Sequence, residues 1–153
     1  MSAPQFVTLA QSIAALTMTN GGKTLTILEF GEIPDSIDLR TCPVMFVDPE
    51  TTITNFTTTR TGMGPGTGDV HGYAYTLNYY AAIAPVGSGR GIAEAAEECA
   101  EWARVITNAI AEADDTLIAS NNVTADVSAI GIITDPTGGV YHGLQIGVRV
   151  EEF

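Results

Sequence analysis

The chain has 153 residues, 45% of them hydrophobic, with a mean hydropathy of +0.19, which excludes a wholly disordered polymer. Only 16% of residues are charged, and 18 acids against 6 bases leave a formal charge of −12 at pH 7. That balance argues against autonomous DNA or RNA binding, which needs Lys and Arg to displace phosphate counterions, and against an anionic membrane surface.

The bases themselves (Lys23, Arg40, Arg60, Arg90, Arg104, Arg149) form no run and no basic helix. A surface this poor in charge exposes Thr, Gly, Ala and apolar groups, as expected where neighbouring molecules cover much of it. No apolar stretch approaches the ~20 residues of a membrane-spanning helix. Residues 1–10 carry no basic residue ahead of their apolar part, so no secretory signal is expected and the chain is expected to fold in a cytoplasm. The length suits one domain spanning residues 1–153.

Residues 5–16 place Phe6, Leu9, Ala10, Ile13, Ala14 and Leu16 near helical spacing, and Asn20-Gly21-Gly22 marks a turn. Residues 23–30 read as a strand, 31–38 as a loop, and 43–47 as a short apolar strand closed by Asp48-Pro49. Residues 51–72 differ in kind. They carry Thr57-Thr58-Thr59 and then Gly62, Gly64, Pro65, Gly66 and Gly68, and predict a long projecting hairpin or loop. Loops of this length are functional or disordered.

Residues 72–84, rich in tyrosine, predict a strand, and Pro85 to Gly91 a tight connection. The clearest helix covers residues 92–117, with Ile92, Ala95, Ala96, Cys99, Trp102, Ala103, Ile106, Ala109, Ile110, Ala113 and Leu117 on one stripe. Asn121-Asn122 reads as a turn. Residues 127–134 and 140–150 predict a hairpin about Asp135-Pro136-Thr137-Gly138-Gly139, with Leu144, Ile146, Val148 and Val150 on one face. The whole is α+β: a mainly antiparallel sheet crossed by one long helix, with a short N-terminal helix and a projecting hairpin or loop at 51–72.

Several candidate chemistries fail on spacing. Gly21-Gly22-Lys23-Thr24 resembles the end of a phosphate-binding loop, but Thr17 stands where the first glycine belongs, and the segment runs from helix to strand. Gly87-Ser88-Gly89-Arg90-Gly91 lies between strand and helix, yet Ile92 occupies the third glycine position of a dinucleotide fingerprint. The catalytic-serine elbow fails at Val86. Asp69, His71 and the distant His142 form no ligand register. Glu94, Glu97, Glu98 and Glu101 read as a solvated acidic face. Cys42 and Cys99 read as two reduced thiols. The expectation is no active site, no metal and no cofactor.

Segment order carries a resemblance. A short N-terminal helix and the strand Pro43-Val44-Met45-Phe46-Val47 are followed by a tyrosine-rich strand at 73–80 and the long helix at 92–117. A final hairpin then ends in Gly147-Val148-Arg149-Val150-Glu151-Glu152-Phe153. Over nearly the whole chain this order resembles the tail terminator proteins of long-tailed bacteriophages. The resemblance implies a structural virion protein: a homo-oligomeric ring, usually of six subunits, that caps the tail tube, stops its polymerisation and meets the head–tail connector. Its expected partners are other copies of itself, the major tail tube protein and the connector, with DNA only passing through the lumen and no membrane. Six copies would carry −72 formal charges, six times −12, which would keep passing DNA from sticking. A head-closure or other neck adaptor is the alternative within that class, and a nucleotide-binding enzyme using Gly87–Gly91 the alternative outside it.

Within residues 51–72 few apolar side chains are available to offset the ordering of so many glycines, so this segment is expected to be disordered in the free subunit and to order against neighbouring subunits. Phe56 and Met63 are the expected anchors, and Arg60 is expected to meet a carboxylate of an adjacent subunit. The expected assembly interface is Phe56, Thr58, Arg60, Met63 and Arg90.

Overall fold

The computed structural model describes residues 3–60, 70–87, 89, 91–118 and 121–153. In chain order its elements are α1 (Phe6–Ala14), β1 (Thr19–Asn20), β2 (Lys23–Thr24), β3 (Thr26–Ile27), β4 (Val44–Val47), β5 (Ile53–Arg60), β6 (Val70–Pro85), α2 (Ile92–Glu112), α3 (Asp114–Leu117), β7 (Asn121–Thr134) and β8 (Val140–Glu152). A six-stranded sheet runs β3-β4-β6-β8-β7, and β5 pairs with β6 on the same edge as β4. Every pairing in it is antiparallel except β3 with β4. The fold is therefore the expected α+β arrangement, with one long helix and a short N-terminal one.

The core follows from strand alternation. Tyr75, Leu77, Tyr79, Ala81 and Ile83 of β6 and Leu144, Ile146, Val148 and Val150 of β8 enter one large apolar cluster with α1 and α2. Trp102 and Ile106 of α2 sit in it with no solvent exposure, as the stripe predicted. The opposite face holds a smaller cluster, in which Val44, Phe46, Ala82, Ile133 and Tyr141 are covered by Leu28, Ile37 and Cys42 from the connection between β3 and β4. No described helix is long and apolar enough to cross a membrane.

Three expected elements are corrected. Residues 23–30 are not one strand: Gly21 and Gly22, at φ +59° and +79°, turn β2 back onto β1, and only Thr26–Ile27 joins the main sheet. A two-residue loop with both residues at positive φ matches strand twist, which is why glycines stand there. The phosphate-loop look-alike is thus a hairpin turn.

The helix expected over 92–117 breaks at Ala113, whose φ −101° and ψ 7° leave the helical basin. The Thr116 N–H and hydroxyl both donate to the Ala113 carbonyl, at 2.9 Å each, in place of a continuing four-residue ladder. Leu117 is still buried, so the apolar period ran through a break that only the Asp114-Asp115-Thr116 chemistry announced. α2 alone, at 21 residues, is about 31 Å long. Its first residue, Ile92, is 71% exposed because it precedes the first buried residue, Ala95. Ala96 is exposed because it lies about 100° round the helix from Ala95, off the buried stripe of Ala95, Cys99, Trp102, Ile106 and Ile110. Finally, Asn121-Asn122 is no turn. Both pair with Glu152 and Glu151 as the first residues of β7, cross-strand pairing having overridden local preference.

Candidate assembly surface

Residues 51–72 are the segment the sequence singled out, and their described part is β5 with the start of β6. Thr54 pairs with Thr76 and Thr57 with Ala74, so Asn55 and Phe56 together oppose Tyr75. This is a β-bulge, and its extra residue is Asn55 at φ +54°, a conformation asparagine tolerates better than most. The bulge turns Phe56 onto the aromatic side of the hairpin. Its ring stacks on Tyr75 at 6.2 Å and 21° and leans on Tyr73 at 5.8 Å, while 46% of the residue remains exposed. A second register shift between Thr59 and Arg60 follows at Gly72, where a Cβ would meet the Glu152 carbonyl at 3.1 Å.

Two buried carboxylates anchor this hairpin at its root. Asp48 Oδ1 accepts the Glu50 and Thr51 N–H groups at 2.9 and 3.0 Å, and the Asp48 carbonyl accepts the Thr52 hydroxyl at 2.8 Å. The turn so formed is stitched to β6: Asn78 donates its N–H to Thr52 and its side-chain amide to Thr51 and Thr54. Beside it lies a cleft of about 290 Å³ lined by Asp48, Thr54, Asn78, Tyr80, Ser128 and Gln145.

Glu152, 2% exposed, accepts the Tyr75 hydroxyl at 2.6 Å and the Gln5 N–H at 3.0 Å. Phe6 then sets its ring edge-on to Tyr75 at 5.6 Å. One carboxylate thus ties the start of α1, the base of the hairpin and the end of β8 together. Burial, and then the Glu152 carboxylate that accepts its proton, push the Tyr75 hydroxyl well above its ordinary pKa.

Of the expected interface residues, Phe56, Thr58 and Arg60 fall together on β5, whose last six residues are all exposed. Met63 and Arg90 lie outside the described residues, as do Asp69 and Ser88. His142 is buried within β8. Among the described residues no three His, Cys, Asp or Glu side chains gather as a metal site. Glu98 pairs with Lys23 Nζ at 3.4 Å and Glu101 accepts the Asn20 amide at 3.2 Å, so part of the acidic face holds the β1–β2 hairpin, while Glu94 and Glu97 are exposed.

Elsewhere Asp135 organises the β7–β8 turn, accepting the Thr137 and Gly139 N–H groups on Oδ1. Burial first, and then the Asp135 carboxylate, raise the Tyr141 pKa. The two groups nonetheless fall short of hydrogen-bond geometry, leaving Tyr141 Oη and Asp135 Oδ2 buried and unpaired among the described residues.

The sequence reading missed Asp48 and Glu152. For Glu152 the signal was present, since it continues the inward register of residues 144, 146, 148 and 150. Compared with protein-family models the chain matches none, and no curated protein matches it.

Proposed function

We propose that this chain is a structural assembly protein that closes into a ring on the tail of a long-tailed phage, capping the tube and joining it to the head connector. The observation that carries this reading is β5. It is a strand built on rigid anchors and yet left exposed over six residues, with an aromatic ring half uncovered and an arginine at its end. Such a strand contributes little to its own domain, and its exposed Phe and Arg are residue types enriched in interface hot spots or cores. The charge-poor, acidic composition and the segment order support the same reading.

The direct test is tube polymerisation. Added to growing tail tubes of its own phage, the protein should stop elongation at the tube end, and electron micrographs should show a ring there. Tubes that elongate unchanged, with no end-bound density, would contradict the reading. Loss of capping in a variant lacking residues 59–68, with a folded chain retained, would assign the activity to the hairpin.

A further inference from the structure

We propose that Asn20 is a site of spontaneous covalent change, in which the Gly21 nitrogen displaces the Asn20 side-chain nitrogen as ammonia, and water then leaves an aspartyl or isoaspartyl residue that loosens the β1–β2 hairpin from α2. The inference stands apart from the ring reading and rests on the hairpin alone.

The sequence selects the place. Asn20-Gly21 is the only asparagine–glycine pair in the chain. The other five asparagines precede Phe56, Tyr79, Ala109, Asn122 and Val123, each of which carries a side chain and continues a helix or a strand. There a Cβ crowds the attacking nitrogen, and regular backbone holds it away from the asparagine Cγ. Gly21 carries neither restraint. It lies outside the strands, is exposed, and a Cβ built on it would meet nothing within 4 Å. Its N–H donates no hydrogen bond among the described residues, so its proton is open to solvent.

The hairpin is also easily opened. β1 and β2 form a separate two-stranded sheet, paired only through Thr19 with Thr24 and Asn20 with Lys23. A two-stranded hairpin is marginal by itself. Two side-chain ties hold this one to α2: the Asn20 amide donates to Glu101 Oε2 at 3.2 Å, and Lys23 Nζ meets Glu98 Oε1 at 3.4 Å. Exposed ties of this kind contribute little. Such an element opens without unfolding the domain, and opening lets the Asn20 backbone turn its Cγ onto the Gly21 nitrogen.

The chemistry balances with water alone. A bond forms from Gly21 N to Asn20 Cγ, and the bond from Cγ to Nδ2 breaks. The Gly21 proton passes to solvent, solvent protonates the departing nitrogen, and ammonia leaves a five-membered imide. Water opens that ring at Cγ to give aspartate, or at the main-chain carbonyl to give isoaspartate. The sum is one water consumed and one ammonia released, with nothing oxidised or reduced.

Either product sets a carboxylate where Glu101 now accepts an amide. A hydrogen bond becomes a like-charge contact, on a helix face that also carries Glu98, in a chain already at −12. The isoaspartyl product further inserts a methylene carbon into the backbone beside a two-residue turn, which breaks the match of Thr19 with Thr24.

Peptide mapping of the full chain, incubated folded, tests the change. Asn20 should gain the mass of an amide-to-acid exchange, with isoaspartate among the products, at least about tenfold faster than any other asparagine, because only Gly21 leaves the attacking nitrogen uncrowded. The rate should be higher at pH 8 than at pH 6. Asn20→Gln, whose longer side chain must close a larger ring, should abolish the conversion while keeping the amide. Asn20→Asp, which carries one of the products, should speed amide exchange in residues 19–24 several-fold with circular dichroism unchanged. An Asn20 that stays an amide in the folded chain, or converts no faster than the other asparagines, would overturn the proposal. Aspartate formed without isoaspartate would overturn the cyclic route, and unaltered exchange in Asn20→Asp would overturn the loosening of the hairpin.

Discussion

Two strands, β4 and β5, lie one after the other along the same edge of β6, and they could hardly differ more. All four residues of β4, Val44-Met45-Phe46-Val47, are buried, split between the two apolar clusters on either face of the sheet. β5 buries none of its eight residues fully. Both are antiparallel partners of one strand, so pairing alone does not make a strand part of the core. What separates them is what covers their faces. β4 has helices on one side and the connection at Leu28, Ile37 and Cys42 on the other, whereas the bulge at Asn55 and the run of threonines give β5 little to bury. The same backbone ladder serves stability in one place and leaves an unpaired edge in the other.

The sharpest way to break this contrast is a pair of identical substitutions ten residues apart. Phe46→Ala should lower the unfolding free energy by about 3–5 kcal/mol, as should Trp102→Ala, because both side chains are fully enclosed. Phe56→Ala should lower it by about 1 kcal/mol or less, since the ring is half exposed, and should act instead on assembly. Chemical denaturation measures all three. Comparable losses at positions 46 and 56 would dissolve the distinction drawn here.

Next in size is the anchor of the hairpin. Glu152→Ala leaves the Tyr75 hydroxyl and the Gln5 N–H without their acceptor and should cost about 1–3 kcal/mol. Glu152→Gln, which keeps an acceptor oxygen, should lose less. Equal losses in the two variants would show that packing, not the hydrogen bonds, holds the base of β5.

Alkaline pH probes the same tyrosines together. Tyr75, Tyr79 and Tyr141 have hydroxyls raised above the ordinary value of 10.0, first of all by burial. The folded chain therefore holds protons that the unfolded chain releases above that pH. Their contribution is fully present below pH 10 and is lost as pH rises, by about 1.4 kcal/mol per tyrosine for each unit. Thermal melts at pH 9, 10 and 11 should show a flat and then falling midpoint, and a midpoint that holds at pH 11 would contradict the assignment. The smallest effect belongs to α2: Glu94→Gln with Glu97→Gln should leave stability within about 0.5 kcal/mol and assembly intact, because both are exposed.

How much of this was legible in the sequence follows from the same contrast. Residues whose burial is periodic were readable: the α2 stripe through Trp102, the alternation along β8, and the all-apolar β4. Boundaries set by hydrogen bonding were not. The break at Ala113 kept Leu117 in phase, so periodicity alone passed over it. The Asn121-Asn122 turn signal gave way to pairing with β8, which is a long-range event. The strand at 53–60 was legible in outline from its threonines, but its pairing with β6 inside one chain, without a neighbour to order it, was not, nor was the bulge that carries Phe56 onto Tyr75, because nothing local requires Asn55 to adopt φ +54°. Asp48 and Glu152 escaped notice because a carboxylate in sequence reads as surface until its donors are known.

The central claim is that the exposed strand exists to join copies, and particle mass tests it most directly. Sedimentation equilibrium of the intact chain should report a closed species near six times 16.0 kDa, about 96 kDa, and the variant lacking residues 59–68 should report a folded monomer about 1 kDa lighter than the intact 16.0 kDa chain. An intact chain that sediments as a monomer, or a shortened one that still assembles, would contradict it.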